Sequence, residues 1–276
     1  MQNSYVIFSG ASELDGAPIV AIATGFSNSS SNRKTGPGLV QTWILRSDIS
    51  PVQAMLTEAD SSICGPCPMR GTVEDGRVRG RSCYVPVVRA PLAIWRSYAR
   101  STEMEIATRP QARHGTRSAG YEEVPEEEVA PLFGGRGVRI GAYGDPAAVP
   151  PRIWRAVTAR AAFWTGYTHQ WRTCDPAFAR WCMASCETAA DRLQAQALGY
   201  RTFRATPLDP RADRLQQEIV CPASSEGGRK TTCERCRVCG GTSARGRQTD
   251  VVIAMHGWFL GPRPRAQTER PRPSET

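Results

Sequence analysis

Four of the ten cysteines in this 276-residue chain are grouped in its last quarter. They are Cys221, Cys233, Cys236 and Cys239, and the last three have the spacing Cys-x-x-Cys-x-x-Cys. Thiolates two residues apart on a tight turn can bind one metal ion at about 2.3 Å, and a third thiolate at the same interval wraps the loop around that ion. The pattern predicts a metal loop over residues 221–241 that holds zinc or an iron–sulfur cluster.

A second and more widely spaced set consists of Cys64, Cys67 and Cys83. The third thiol of this set is far along the chain from the other two. The loop between them must therefore fold back before all three can bind one metal or cluster, and loop-closure entropy permits this. We predict a second metal site here. The remaining cysteines lie among apolar neighbours, where free cysteine packs as a small hydrophobic residue, and we assign them to the core or to the wall of a pocket. They are Cys174, Cys182 and Cys186.

Disulfides are the alternative for these thiols. The first residues of the chain lack the basic and apolar segments of a secretion signal, so we expect a cytoplasmic protein with reduced thiols. No apolar run approaches the roughly 20 residues that cross a bilayer, and we expect no membrane partner. The formal net charge of +9 comes largely from scattered arginines and is compatible with nucleic acid or another polyanion as a partner.

The rest of the chain predicts an α/β fold. Residues 18–25 and 39–46 are strand-like runs joined by a polar loop, and we predict a small N-terminal β element over residues 1–60, packed on a barrel. From residue 138 onward, six short apolar runs alternate with helical segments, which is typical of a parallel sheet with right-handed crossovers. We therefore predict a partial or complete (β/α) barrel-like sheet over residues 61–260 and a disordered tail over residues 261–276.

Polar residues follow the predicted strands at their carboxyl ends, where the functional groups of a parallel sheet gather. In chain order they are Tyr143, Gly144, Asp145, His169, Gln170, Ser185, Glu187, Arg204, Cys221 and His256. Because the topology brings these positions to one rim, we predict an active site there. The alternative is structural: Asp145 and Ser185 would cap the helices that they precede, and the two histidines would lie in the core or on the surface.

Several segments resemble an uncharacterised family found in phages and phage-bearing bacteria, over most of the chain. They include NRKTGPGLVQTWIL, SSICGPCPMRG, VRIGAYGDPAAVP, WTGYTHQW, CMASCET and CPASSEGGRKTTCERCRVCGG. That family is similar in layout to the phage radical-SAM-like proteins, whose fold is a partial (β/α) barrel. The resemblance implies an iron–sulfur enzyme that uses S-adenosylmethionine.

Radical SAM enzymes hold a [4Fe–4S] cluster with three cysteines, so that the fourth iron can bind S-adenosylmethionine. The resemblance assigns these ligands to Cys64, Cys67 and Cys83, although their spacing is Cys-x2-Cys-x15-Cys where the family has Cys-x3-Cys-x2-Cys. A Gly-Gly-Glu-Pro motif of the family holds the methionine amino group, and the residues implied for cofactor binding here are Tyr143, Gly144, Asp145 and Ser185. The residues implied for substrate or proton handling are His169, Gln170, Glu187 and His256.

The implied reaction is reduction of the cluster by an electron donor, homolysis of S-adenosylmethionine and hydrogen abstraction from a small-molecule or nucleotide substrate, or from nucleic acid in a phage setting. The downstream cysteines would then hold structural zinc or a second iron–sulfur cluster. Two other hypotheses stay open. One is a zinc-stabilised nucleic-acid-binding or protein-binding module without catalysis. The other is a metal-dependent hydrolase with His169, His256, Asp145 and Glu187 as ligands.

Overall fold

The computed structural model describes residues 2–27, 34–100, 121–243 and 249–255. Its strands are β1 (Ser4–Ala11), β2 (Pro18–Thr24), β3 (Leu39–Arg46), β4 (Thr72–Glu74), β5 (Arg77–Arg79), β6 (Glu122–Glu123), β7 (Gly137–Tyr143), β8 (Phe163–Thr165), β9 (Tyr167–Thr168), β10 (Met183–Cys186), β11 (Thr202–Thr206), β12 (Glu218–Val220) and β13 (Asp250–Ala254). Its α-helices are α1 (Pro51–Leu56), α2 (Ser61–Cys64), α3 (Ala90–Ala99), α4 (Glu126–Leu132), α5 (Pro151–Ala159), α6 (Ala189–Ala197) and α7 (Cys233–Cys236).

The first sheet combines the N-terminal strands with later ones, in the order β6-β1-β2-β3-β7-β8. β1, β2 and β3 form an antiparallel meander, so both strands expected near the N-terminus are present. β3 then pairs parallel to β7, with Leu39 opposite Gly137 and Val40 opposite Val138. Because of this pairing, the N-terminal strands share one sheet and one hydrophobic core with residues beyond position 61.

The second sheet is fully parallel, in the order β12-β13-β11-β10-β9. It continues from the first sheet, because only Gly166 separates β8 from β9. The Gly166 N–H donates to the Cys239 carbonyl at 3.0 Å, and the Gly166 carbonyl accepts from the Met183 N–H at 2.9 Å. The predicted α/β class with parallel strands is confirmed.

One feature of the topology departs from an arrangement in sequence order, and another is not confirmed. β13 lies between β11 and β12, so the apolar runs after residue 138 do not pair in sequence order. Within the described ranges, β6 and β12 each pair on one side only, and a closed barrel is not confirmed. The predicted tail at 261–276 and His256 lie outside the described residues.

Helices pack on the sheets and complete the core. α4 packs against α5, and α6 packs on β10 and β11. α5 buries Ile153, Trp154 and Val157, which the helical repeat places on one side. Cys182 and Cys186 are buried in the same core, as the sequence predicts for cysteines among apolar neighbours.

A buried network of charged residues joins β11, β12 and β13. Arg204 lies inside β11 and binds both carboxylate oxygens of Glu218 at 2.8 Å and Asp213 at 2.6 Å. Arg192 of α6 binds Asp250 at the start of β13 at 3.0 Å. Buried charges require such partners, since an unpaired one is strongly destabilising. The prediction that Arg204 belongs to the functional rim is therefore wrong, because its side chain is used in this network.

Candidate functional site

A cavity of about 550 Å³ lies against the parallel strands. Residues of several strands line it, among them Arg139, Gly141 and Tyr143 from β7, Tyr167 from β9, Ser185 from β10, Phe203 and Ala205 from β11, and Ile253 from β13. In β11 the two-residue repeat of a strand places Phe203 and Ala205 on one face. The volume lies within the range of about 300–1,000 Å³ that is common for small-molecule sites.

The three upstream cysteines all line this cavity: Cys64, Cys67 and Cys83. Between the second and the third, the chain folds back as the antiparallel hairpin of β4 and β5. The hairpin turn at Asp75 and Gly76 has φ angles of 50° and 69°, as a type I′ turn requires. The N–H of the third cysteine then donates to the Met69 carbonyl at 3.0 Å. The hairpin therefore returns the third thiol to the cavity that holds the first two.

Gln170 fixes the backbone of the first cysteine. Its Nε2 donates to the Cys64 carbonyl at 2.9 Å. Gln170 is buried and is not part of the cavity wall. Nearby, Arg70 binds Asp60 at 2.5 Å and so holds the segment before α2. The geometry supports a positioning role for Gln170 in place of the predicted catalytic one.

Two of the upstream thiols, Cys64 and Cys83, lie in an environment that disfavours thiolates. Burial raises the pKa of Cys64 well above its ordinary value, and Cys67, Asp60 and Cys83 add to this effect. Burial also raises the pKa of Cys83, against the opposing charge of Arg81. A set of thiolates here therefore requires a cation that balances their charge.

Three residues with a predicted role in cofactor binding, Tyr143, Gly144 and Ser185, line the cavity. The Tyr143 hydroxyl is buried and has no hydrogen-bond partner among the described residues. Burial, followed by the charges of Cys64 and Asp60, raises the pKa of Tyr143 well above its ordinary value. Gly144 has a φ of 80°, a conformation in which glycine carries no steric penalty. These positions lie beside the upstream thiols, and their cofactor role stays a prediction.

The carboxylate of Asp145 also lines the cavity, but it is fully engaged within the protein. Oδ1 accepts from the Ala147 N–H at 3.0 Å and from the Thr168 hydroxyl at 2.7 Å, and Oδ2 accepts from the His169 N–H at 2.7 Å. Asp145 thereby caps the 3-10 turn Pro146–Ala148 and holds the loop after β9. This geometry supports the capping alternative over the predicted direct contact with a cofactor.

We expect Asp145→Asn to lower the free energy of unfolding by about 1–3 kcal/mol, because the amide nitrogen cannot accept the His169 N–H and leaves a buried donor unpaired. Asp175→Asn is the matched control, since Asp175 caps Pro176–Arg180 through one exposed bond to the Ala177 N–H at 2.8 Å. Asp175→Asn should lower the free energy of unfolding by less than about 1 kcal/mol. Urea denaturation of both variants measures the difference, and equal losses would contradict this role of Asp145.

His169 and Glu187 form a pair on the cavity wall. His169 Nε2 lies 3.0 Å from Glu187 Oε1. Burial lowers the pKa of His169, but the interactions with Cys67 and Glu187 outweigh burial and raise it to about 10. The ring is therefore protonated at neutral pH. Both side chains line the cavity, and their role as metal ligands of a hydrolase stays a prediction.

Arg139 is a cavity residue that reasoning from strand ends misses. It extends from the middle of β7, and its Nη2 donates to the Tyr84 hydroxyl. Its guanidinium carbon lies 5.8 Å from the centre of the Tyr84 ring. The available signal was a charged residue inside an otherwise apolar strand, GVRIGAY. Tyr84 follows the last upstream cysteine, so the cysteine segment and β7 meet at this contact.

The downstream cysteines line a second cavity of about 20 Å³: Cys221, Cys233, Cys236 and Cys239. The first follows β12, where its N–H donates to the Val252 carbonyl at 2.9 Å, and α7 carries the next two. The N–H groups of Cys233 and Glu234 donate to the carbonyls of Lys34 and Thr35, so the loop docks on the residues before β3. Cys233 also lines the larger cavity, and the two cavities share this wall.

As the side chains stand, no group of three or more Cys, His, Asp or Glu residues in the described ranges could hold a metal ion. The pKa of Cys233 is raised first by burial and then by the charge of Cys221. These two downstream thiols therefore interact electrostatically. A cysteine thiol moves between staggered rotamers by rotation about the Cα–Cβ bond. Metal binding by the downstream thiols would therefore require rotation of their side chains toward the small cavity that all four of them line.

Comparison of the chain with protein-family models, with curated proteins and with solved structures finds no match. None of the helices among the described residues has both the length and the apolar character that crossing a membrane requires. Because no related protein indicates a function, a proposal must rest on the chemistry of the site. The site consists of two groups of thiols, a tyrosine hydroxyl that has no partner among the described residues, a protonated histidine and an arginine around adjoining cavities.

Proposed function

We propose that this protein is a radical-SAM-like iron–sulfur enzyme, with a [4Fe–4S] cluster on Cys64, Cys67 and Cys83 and S-adenosylmethionine in the cavity beside them. The observation that carries the proposal is the convergence of three thiols, from both sides of a hairpin, on a cavity of about 550 Å³. Three cysteine ligands leave one iron of a four-iron cluster free for a further ligand. A cavity of this volume has room for a small molecule or a nucleotide as well.

The residues around these thiols fit such a cluster in chemical type. Burial raises the pKa of Cys64 and of Cys83, and iron provides the positive charge that their thiolates need. The Tyr143 hydroxyl, buried without a partner among the described residues, is a donor suited to a thiolate sulfur. When bound and reduced by an electron donor, the cluster would supply the electron that cleaves S-adenosylmethionine and starts hydrogen abstraction from a substrate.

Other cavity residues would hold the substrate. The protonated ring of His169, oriented by Glu187, presents a positive charge and an N–H donor beside the upstream thiols. Ser185 is fixed in place because its carbonyl accepts from the Trp171 indole N–H at 2.9 Å. Apolar walls such as Phe203 exclude water from a reactive species. The proposed substrate is a small molecule or a nucleotide, free or within nucleic acid.

The downstream thiols suit a structural zinc ion. Four thiolates close a tetrahedral site and leave no position for a substrate. The cavity that they line has about 20 Å³, which accommodates one guest of atomic size, and a four-iron cluster would have to enlarge it. A zinc ion there would hold the loop against the residues before β3. It would thereby stabilise the wall that Cys233 shares with the larger cavity.

Anaerobic reconstitution with iron and sulfide tests the enzyme. We expect a brown protein with absorption at about 400 nm, which is typical of thiolate-bound clusters. Addition of dithionite and S-adenosylmethionine should then release 5′-deoxyadenosine. Cys83→Ala should lose both the absorption and the product, because two thiolates do not hold a four-iron cluster.

The matched control is Cys174→Ala. Cys174 is partly buried beside the Tyr200 hydroxyl at 3.4 Å and belongs to neither group of thiols. This variant should keep the cluster and the product. A wild-type protein that takes up no cluster would contradict the proposal. A cluster that never cleaves S-adenosylmethionine would contradict the enzymatic part of it.

A thiol-based enzyme is a second candidate, favoured by one observation. Glu187 pairs with His169 at 3.0 Å, and the Cys67 thiol acts on the same ring and raises its pKa. A nucleophile, a base and a carboxylate that orients the base are the three parts of thiol hydrolases and transferases. All three residues line the cavity. For this candidate, Cys67 acts alone and the other two upstream thiols have no catalytic role.

A further inference from the structure

We propose that Arg139 is the anion-binding subsite of the larger cavity and receives a carboxylate or phosphate group of the substrate. The inference rests on the proposed function only in placing a substrate in this cavity, and it does not require an iron–sulfur cluster. Arg139 lies in the cavity wall on β7, two residues before Gly141. β7 is paired with β3 on one side and with β8 on the other, so the guanidinium is presented to the cavity from a rigid element.

Arg139 has no carboxylate within ion-pair distance in the part of the chain that the structure describes. Its side-chain contacts are a hydrogen bond to the Tyr84 hydroxyl and the face of the same ring. Two buried arginines at the second sheet, Arg192 of α6 and Arg204 of β11, bind carboxylates instead. A guanidinium carries five donors in a planar fork, and a carboxylate or phosphate accepts two of them at once.

The carboxylates of the cavity wall do not neutralise Arg139. Asp145 is engaged by donors of its own loop and by Thr168, and Glu187 is paired with His169. The Coulombic influences on Arg139 come from Tyr84, Tyr167 and Cys233, after burial. An anionic ligand would therefore meet a cation that the protein leaves without an acidic partner in the described residues.

Arg139 lies between the two groups of thiols. Its guanidinium donates to the hydroxyl of Tyr84, which follows Cys83 of the upstream group. The charge of Cys233, in the downstream group, also acts on Arg139. An anion bound by Arg139 would therefore share the cavity with the proposed cofactor.

The surroundings of Arg139 favour an anion attached to an apolar or aromatic body. Lys34 lines the same cavity, and its positive charge acts on Cys233 together with that of Arg139. The adjacent wall is apolar and consists of Phe203, Ala205 and Ile253. A phosphate ester of an aromatic group, such as a nucleotide, and an apolar carboxylic acid both have the two required parts.

Isothermal titration calorimetry of the purified protein, without added iron, tests the subsite with three probes: inorganic phosphate, phenyl phosphate and hexanoate. We expect at least one of the two larger probes to bind about tenfold tighter than inorganic phosphate, because it buries an apolar body as well as an anion. Preference for phenyl phosphate identifies a phosphate ester, and preference for hexanoate identifies a carboxylate. Absence of binding of all three probes would overturn the proposal.

Arg139→Gln should weaken the preferred probe by about tenfold or more, since a charge-assisted hydrogen-bond pair is lost. Arg155→Gln, which changes an exposed arginine of α5, should leave the affinity unchanged. If Arg139→Gln fails to fold by circular dichroism, Arg139→Lys keeps the charge and loses the two-point geometry, and a several-fold loss is expected. Wild-type affinity in the folded Arg139 variant would overturn the subsite. If the protein binds the probe through Arg139 but takes up no cluster, the cluster proposal fails and the subsite proposal stands.

Discussion

Cys236→Ser is expected to abolish bound zinc and to lower the free energy of unfolding by more than about 4 kcal/mol, as loss of a structural metal can. The loop over residues 221–243 has little regular structure of its own beyond the four-residue α7. Its apolar contacts involve Val238 and the cysteines themselves. The bound ion would therefore supply a large part of the energy that orders this loop. Elemental analysis of the purified protein and urea denaturation measure the two effects.

Cys174→Ser provides the control for this substitution, because it changes a thiol outside both groups and keeps a hydrogen-bonding atom near the Tyr200 hydroxyl. It should retain zinc and most of the stability. Cys239→Ser should reproduce the effect of Cys236→Ser, since both thiols line the same small cavity. Retention of zinc and of the wild-type melting temperature in both of these variants would contradict a metal site at the downstream cysteines.

Most strands could be predicted because short apolar runs bounded by turn residues are a local property of the sequence. The order of β12 and β13 in the sheet could not be predicted, because parallel strands joined by a long loop can exchange places without changing their local pattern. A weaker signal was present. β13 is buried at all five positions, as a central strand requires, whereas β12 is buried only at Glu218. The longer apolar run belongs in the middle of a parallel sheet.

The strand-end rule identified where side chains gather, but not what each side chain contacts. It placed Asp145, His169, Ser185 and Glu187 on positions that do line one cavity. It could not show that the Asp145 oxygens are occupied by local donors, because those hydrogen bonds depend on the conformation of two loops. It also passed over Arg139, which lies within a strand.

The return of Cys83 to the other upstream cysteines had a readable local cause. The segment VEDGRVR contains Asp-Gly between residues that alternate in type, which is the strongest short-range pattern for a two-residue hairpin. The structure has this hairpin, with Val73 opposite Val78. A spacing of fifteen residues between two cysteines is therefore compatible with one site, because the intervening chain pairs with itself.

Cysteine alkylation should separate the two candidate functions, and we expect it to favour the cluster. After anaerobic reconstitution, the reaction with iodoacetamide should be slower by about tenfold or more at Cys64, Cys67 and Cys83, because metal-bound thiolates are poor nucleophiles. Peptide mass spectrometry measures each cysteine separately. Cys174, which lies outside both groups of thiols, should react equally before and after reconstitution and so provides the internal control.

Cys83→Ser is the variant that decides between the candidates. If the three thiols share one cluster, this substitution removes a ligand, and the protection of Cys64 and Cys67 should disappear with it. If Cys67 acts as a nucleophile with His169, it should react fastest in the protein without iron, and Cys83→Ser should leave its rate unchanged. His169→Ala should then slow Cys67 about tenfold, as loss of a stabilising imidazolium partner lowers the thiolate fraction. Protection that depends on Cys83 contradicts the thiol enzyme, and a rate that depends only on His169 contradicts the cluster.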